Sequence, residues 1–211
     1  MTIAGKTPIR VLCVDDHPLI REGISMVIKR QPDMALVADA SDGASAIKLY
    51  RELLPDVTLM DLRLPDINGI DAMISIQTEF PEARIIILTT FEGDAEAKRA
   101  LQSGARGYML KSIPPKELME SIRLVHAGKR RIPPEIARSL AEHLSDESLS
   151  EREIDVLRQV ANGMGNREIG KLLCISEETV KAHLKHILDK LDAKDRTQAV
   201  TIAISRGIMQ L

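Results

Sequence analysis

The sequence predicts a doubly wound α/β domain with a five-stranded parallel sheet, followed by a linker helix and an all-α unit of four helices. Three observations predict it. Five short apolar runs alternate with amphipathic stretches through residues 1–128. The runs are apolar nearly throughout, as strands covered on both faces are. From Leu149 onward only helical periodicity remains.

The elements follow in order. "IRVLCV" (Ile9–Val14) reads as the first strand, and a helix is expected from Pro18 to Arg30. "MALVADA" is the second strand and "DGASAIKLYRELL" the second helix. "DVTLMD" and "GIDAMISIQTEF" are the third pair. "ARIIILTT" is the clearest buried strand, and a helix follows near Asp94–Ser103. "GYMLK" is a short fifth strand, and "PPKELMESIRLVHAG" a fifth helix opened by proline. Residues 129–148 read as a linker with one helix, after the basic "GKRR" and a Pro pair.

The last unit, 149–211, is read from its caps. "SERE" (Ser150–Glu153) is a capping box, with Leu149 and Ile154 as a hydrophobic staple. A second helix is expected over Asn166–Leu173. Gly163 and Gly165 mark the helix end and turn before it. "ISEETVKAHLKHILDKL" is a third helix, with Ser176 as N-cap and Ile175 stapled to Val180. A fourth runs from Arg196 to Ser205, ended by Gly207.

Composition narrows the function classes. The chain has 211 residues, a formal net charge of -2 and 44% apolar residues, enough for packed cores. Aromatics are 2% with no Trp, which argues against a stacking platform for single-stranded nucleic acid. Cys13 and Cys174 lie far apart in apolar runs and read as buried, free thiols of a reducing compartment. No apolar run reaches the roughly 18 residues of a membrane span, and "MTIAGKTPIR" lacks a signal-peptide core. A soluble, cytoplasmic protein without membrane contact is expected.

In a doubly wound sheet, ligands bind beyond the carboxyl ends of the strands. The first strand delivers Asp15 and Asp16 there, the third Asp61, the fourth Thr89 and Thr90, and the fifth Lys111. Three acids cannot crowd together uncompensated, because like charges raise one another's pKa. A hard cation resolves this, and oxygen ligands suit Mg²⁺. Lys111 and Thr89 would then donate to a phosphoryl group, with Asp61 as candidate nucleophile.

These segments resemble a known family. "VLCVDDHP", "VTLMDLRLPDINGID", "IIILTTF" and "GARGYMLK" are similar to the receiver domain of two-component response regulators, a flavodoxin-like fold. The resemblance implies Asp61 as phospho-acceptor. It implies Mg²⁺ held by Asp16, Asp61 and the Arg63 backbone carbonyl, with Asp15 acting mostly through water. Thr89 would be the switch hydroxyl, Tyr108 the switch aromatic and Lys111 the phosphate-binding lysine. Arg63 and Phe91 stand where the family tunes phosphoryl lifetime.

On the third helix of the tail, Val180, Leu184, Ile187, Leu188 and Leu191 share one face. Lys181, Ala182, Lys185, His186 and Asp189 lie roughly opposite, and the first of these suit entry into a DNA major groove. Charge alone is a weak guide, since acids and bases nearly balance from Ser150 onward. The segment Leu149–Leu211 resembles the four-helix LuxR/NarL-type helix-turn-helix domain. That resemblance places Lys181, Ala182 and Lys185 against bases. Asn166, Thr179, His186, Lys190 and Arg196 become candidates for phosphate contacts, although Thr179 alternatively completes the helix cap. Val200, Ile204 and Met209 are either dimer contacts or core.

Together the two resemblances imply a NarL/FixJ-type regulator. Its expected partners are a histidine kinase, double-stranded DNA, a second copy of the chain when phosphorylated, and RNA polymerase. Phosphorylation is expected to free Lys181 and Lys185 from the receiver. Two other classes stay open on the residues themselves. One is a Mg²⁺-dependent phosphatase or mutase, although "Asp61-Leu62-Arg63" lacks an acid two residues on. The other is a phosphorylation-gated module whose tail binds protein or RNA.

Overall fold

A computed structural model describes residues 7–90, 93–142 and 147–209. Phe91 and the start of the chain lie outside the described residues. Two compact units result, Met1–Thr90 with Lys98–Pro134, and Phe91–Ala97 with Glu135–Leu211.

The first unit is built on five parallel strands: β1 (Ile9–Val14), β2 (Met34–Ala40), β3 (Val57–Asp61), β4 (Ile85–Thr89) and β5 (Gly107–Leu110). Their order is β2-β1-β3-β4-β5. The order reverses beside β1, so the switch point lies between the ends of β1 and β3. The connecting helices are α1 (Pro18–Lys29), α2 (Gly43–Leu53), α3 (Gly69–Glu79), α4 (Asp94–Gln102), which belongs to this unit from Lys98 onward, and α5 (Pro115–His126).

Strand side chains alternate between two faces. Val11, Cys13, Val57, Leu59, Ile86, Leu88 and Met109 pack with Ile24 and Ile28 of α1 and with Leu118, Met119, Ile122 and Val125 of α5. The intervening Leu12, Met60, Ile85, Ile87 and Tyr108 are equally buried. Both faces are therefore covered, which is why these strands are apolar at successive positions.

The free edge of β5 is shielded by a residue the sequence assigns to the linker. Arg131 forms a parallel bridge with Gly107. The Tyr108 N–H donates to the Arg131 carbonyl at 3.1 Å, and the Arg131 N–H donates to the Arg106 carbonyl at 2.9 Å. An unpaired edge would leave these groups without backbone partners.

The second unit holds α6 (Pro134–Glu142) from Glu135 onward, then α7 (Glu151–Ala161), α8 (Asn166–Leu173), α9 (Glu177–Leu191) and α10 (Arg196–Ser205). Val156, Leu157, Ile169, Val180, Ile187, Leu191, Ala199 and Ala203 form its core. The capping box closes as expected: the Ser150 N–H donates to Glu153 Oε2 at 2.7 Å, and the Glu153 N–H donates to Ser150 Oγ at 3.3 Å. Leu149, Ile154, Ile175 and Val180 all join the same core. Met209 is buried there, and Val200 and Ile204 pack against it.

The expectation of two buried thiols fails for one. Cys13 is buried, but Cys174 is exposed. Cys174 caps α8 in a left-handed conformation at φ 55°. Holding that turn directs its side chain out of the core. Among the described residues, no helix is long and apolar enough to cross a membrane.

Candidate functional site

The site is built at the carboxyl end of the sheet. Asp61 is the last residue of β3 and is almost fully buried. Asp15 follows β1 and is also buried, while the Asp16 side chain is 40% exposed. Lys111 follows β5, and its N–H donates to the Thr89 carbonyl at 2.6 Å. Its Nζ lies 2.7 Å from Asp61 Oδ2 and 2.7 Å from Asp15 Oδ2. One ammonium thus holds two buried carboxylates together.

The electrostatics follow from burial. Desolvation pushes the Asp61 carboxyl above the ordinary range, against the hydrogen bond and charge of Lys111. Burial pulls the Lys111 ammonium down, yet the bonds from Asp15 and Asp61 outweigh it and hold Lys111 above its ordinary value. Cys13, beneath the acidic pair, has its thiol pushed up to about 12 by burial and by Asp15. It is a structural thiol without thiolate character at neutral pH.

The turn after Asp61 explains its own composition. The Arg63 N–H donates to Asp61 Oδ1 at 3.2 Å. Arg63 then pairs with Asn68 in an antiparallel bridge. Asn68 caps α3 by accepting from the Ile70 N–H at 2.8 Å. The Gly69 N–H donates to the Leu62 carbonyl at 2.9 Å. Asp66 accepts from the Gly43 and Ala44 N–H groups at 2.8 Å each, which ties this loop to the start of α2. Those backbone bonds outweigh desolvation and hold the Asp66 carboxyl below the ordinary range.

The donor set fits a hard divalent cation. Ligand atoms of Asp15, Asp16, His17 and Asp61 all lie within 4.8 Å of one another. The carboxylate oxygens are the type Mg²⁺ prefers. The structure brings Asp15, Asp16, Asp61 and Lys111 together as expected, with Thr89 buried at the end of the neighbouring strand. Thr90 is exposed. Tyr108 is fully buried, beside Ile87 in register. Sequence reasoning missed His17, whose only signal was its place after the acidic pair. It also missed Arg21, whose Nη1 donates to the Asp15 carbonyl at 2.6 Å and whose Nε donates to Asp39 Oδ2 at 3.0 Å.

Comparison with known proteins agrees with this geometry. Residues 11–123 match the response regulator receiver domain, and residues 147–203 match the bacterial regulatory proteins of the luxR family. The chain is a LuxR-type response regulator. It is 41% identical over 218 residues to the uncharacterized transcriptional regulatory protein YxjL of Bacillus subtilis, covering 98% of this chain and 100% of that one. It is 38% identical to the transcriptional regulatory protein LiaR of the same organism, over 92% of this chain and 96% of LiaR. Among solved structures, the response regulator ChrA of a heme-sensing two-component system is 35% identical with a TM-score of 0.57. That match covers 97% of this chain and 100% of ChrA. RcsB in complex with DNA is 27% identical with a TM-score of 0.71, covering 94% and 99%. These relatives are regulators, which favours that reading over a phosphatase.

The helix-turn-helix of this response regulator is α8 and α9. Ser176 caps α9 by accepting from the Thr179 N–H at 3.0 Å, and the two hydroxyls lie 2.9 Å apart. Gly170 permits the close approach of the two helices, since a Cβ there would stand 2.8 Å from the Ile175 carbonyl oxygen. Val180, Ile187 and Leu191 are buried, with Leu184 and Leu188 packed against the same core. Thr179, Lys181, Ala182, Lys185 and His186 are exposed. Lys181 pairs with Glu177 at 3.0 Å. Asn166 is half-buried, and its Oδ1 has no hydrogen-bond partner among the described residues. Two other candidates are engaged inside the domain. Lys190 Nζ lies 2.9 Å from Glu153 Oε2, and Arg196 donates to the Met164 carbonyl at 2.7 Å.

Proposed function

We propose that this response regulator is switched by Mg²⁺-dependent phosphorylation of Asp61 by a partner histidine kinase, and that the switch controls DNA binding. The observation that carries this reading is Lys111, 2.7 Å from both Asp61 Oδ2 and Asp15 Oδ2. An Asp61 oxygen attacks the phosphorus of the kinase phosphohistidine, and the P–N bond breaks. Lys111 follows the charge from the carboxylate to the phosphoryl oxygens, and Thr89 donates its hydroxyl to another of them. Asp15, Asp16, Asp61 and the Arg63 carbonyl would hold Mg²⁺, which supplies charge neutralisation at those oxygens. Catalysis is confined to the protein's own phosphoryl transfer and dephosphorylation.

Phosphorylation adds about −1.5 to −2 charges at a site that already confines two carboxylates. Movement of Thr89 and Tyr108 would carry that change to the β4–β5 side of the sheet. The output is a homodimer with its recognition helices released, bound to two half-sites about one helical turn apart, or a multiple of it. Lys181, Ala182 and Lys185 would read bases, and Asn166, Thr179 and His186 would contact phosphates. Lys190 and Arg196 would first have to leave Glu153 and Met164, so their role here is to brace the domain. RNA polymerase is the expected downstream partner, in the cytoplasm. Duplex affinity measured with and without a small phosphoryl donor and Mg²⁺, in wild type and Asp61→Ala, tests the reading. Tightening in wild type alone supports it; equal affinity in all four conditions removes phosphorylation as the input.

A further inference from the structure

We propose that the pairing of Arg131 with β5 is a releasable latch, which phosphorylation of Asp61 opens to lengthen the tether to the second unit. The inference rests on Asp61 as the phosphorylated residue and concerns how that event leaves the receiver domain. The chain reaches β5 by a built turn. Gly128, at φ 81°, ends α5. Its N–H donates to the Val125 carbonyl and the Lys129 N–H to the Leu124 carbonyl, both at 3.0 Å. Arg131 then lies along the edge of β5. Its carbonyl accepts from the Tyr108 N–H at 3.1 Å, and its N–H donates to the Arg106 carbonyl at 2.9 Å. Gly107 makes room for it, since a Cβ there would stand 3.2 Å from the Arg131 carbonyl oxygen.

An asymmetry makes this pairing the part that yields. β5 is only 4 residues long and pairs with β4 along its whole length, from Ile86 with Gly107 to Thr89 with Leu110. Its other side carries the isolated bridge between Gly107 and Arg131. The Arg131 side chain adds little, with Nη2 3.9 Å from Glu117 Oε2 at the surface. Lys111, directly beyond β5, holds the carboxylate that phosphorylation alters. A shift of Lys111 toward the phosphoryl oxygens therefore pulls on a short strand held firmly by β4 and weakly by Arg131, and the weak side opens. The consequence is length. While the latch is closed, only Ile132 and Pro133 separate Arg131 from the start of α6 at Pro134. Once it opens, 128–133 are free, and each freed residue adds up to about 3.3–3.6 Å of reach. The two DNA-binding units of a dimer then gain the freedom to settle on two half-sites. A pairing that only shields the sheet edge would stay closed in both states, and the experiment separates the two.

Amide hydrogen exchange is followed in the full-length protein, with and without a small phosphoryl donor and Mg²⁺, as wild type and Asp61→Ala. Intact mass in the same samples reports phosphoryl uptake. In phosphorylated wild type the Tyr108 and Arg131 amides should exchange about tenfold faster or more, while the β4 amides keep their protection. Arg131→Pro removes the N–H that donates to Arg106 and should open the latch without phosphorylation. The duplex affinity of this variant, with no donor present, should rise toward that of phosphorylated wild type. Phosphoryl uptake with unchanged protection of Tyr108 and Arg131 overturns the proposal. So does a folded Arg131→Pro protein that binds duplex no better than unphosphorylated wild type. Absence of a phosphoryl adduct in wild type, or an equal adduct in Asp61→Ala, overturns the reading of Asp61 itself, and this proposal with it.

Discussion

Gly69 is folded so closely onto Asp61 that a Cβ at Gly69 would stand 1.9 Å from the Asp61 carbonyl oxygen. The neighbour is backbone, so it cannot swing aside as a side chain can. Gly69→Ala is expected to destabilise the receiver domain by at least about 1–3 kcal/mol and to displace Asp61. Urea midpoints and the phosphorylation rate with a small donor check both effects. A variant with wild-type stability and rate would show that the turn yields freely.

Lys111→Met leaves Asp15 and Asp61 facing each other without their shared cation. The loss at neutral pH is expected to be about 3–5 kcal/mol, because two buried charges lose compensation. The Asp61 carboxyl is already raised, chiefly by burial, and removing Lys111 raises it further. A raised carboxyl means that the folded state binds a proton before the unfolded chain does. The stability deficit of Lys111→Met should therefore shrink as the pH falls from neutral toward the ordinary 3.8. Denaturant midpoints at pH 7 and pH 5 decide this; a deficit that is the same at both contradicts it.

Glu153 gives the opposite sign in the helical domain. Burial raises its carboxyl, but bonds from Ser150 and Lys190 outweigh this and hold it below the ordinary 4.5. Its contribution is therefore present above pH 4.5 and is lost as the pH falls through the depressed value. Glu153→Gln keeps a capping side chain and removes the charge. It should lower stability at neutral pH by about 1 kcal/mol and blunt the acid loss seen in wild type. Helical circular dichroism across an acid titration reads both, and parallel acid limbs would refute the assignment.

Lys181→Ala and Lys185→Ala should each weaken specific duplex binding and relax the preference at particular base pairs, with the salt slope of log affinity largely kept. A uniform loss across sequences, with the slope reduced by about 1, would instead mark a phosphate contact. Lys190→Ala should act mainly on stability, because its ammonium serves Glu153. Affinities of the three variants at several salt concentrations sort these roles.

Much of this was legible in the residues. Alternating apolar runs announced a sheet covered on both faces, and β1, β2, α8 and α10 keep the expected bounds. The acids at Asp15, Asp16 and Asp61 and the ammonium at Lys111 were readable because strand ends in such a sheet share one side. Caps were readable because Ser150 and Ser176 bond only three residues away. Contacts between distant segments were not. Asp66 lies 23 positions from Gly43, and no local pattern says that the loop after β3 caps α2. Arg131 looked like a basic linker residue because its backbone role at the edge of β5 leaves no mark in side-chain periodicity. Cys174 looked buried because the apolar run around it hid a left-handed turn.

By itself, then, the sequence determined the strand and helix order, the acidic ends of the strands and the apolar face of α9, since each depends on spacing within one element. Tertiary structure alone decided that one Lys111 ammonium bridges two acids and that Lys190 is held by Glu153. It also decided that His17 turns its ring to Asp16. Such distances depend on where separate elements come to rest, or on which neighbour a side chain chooses, and packing settles both.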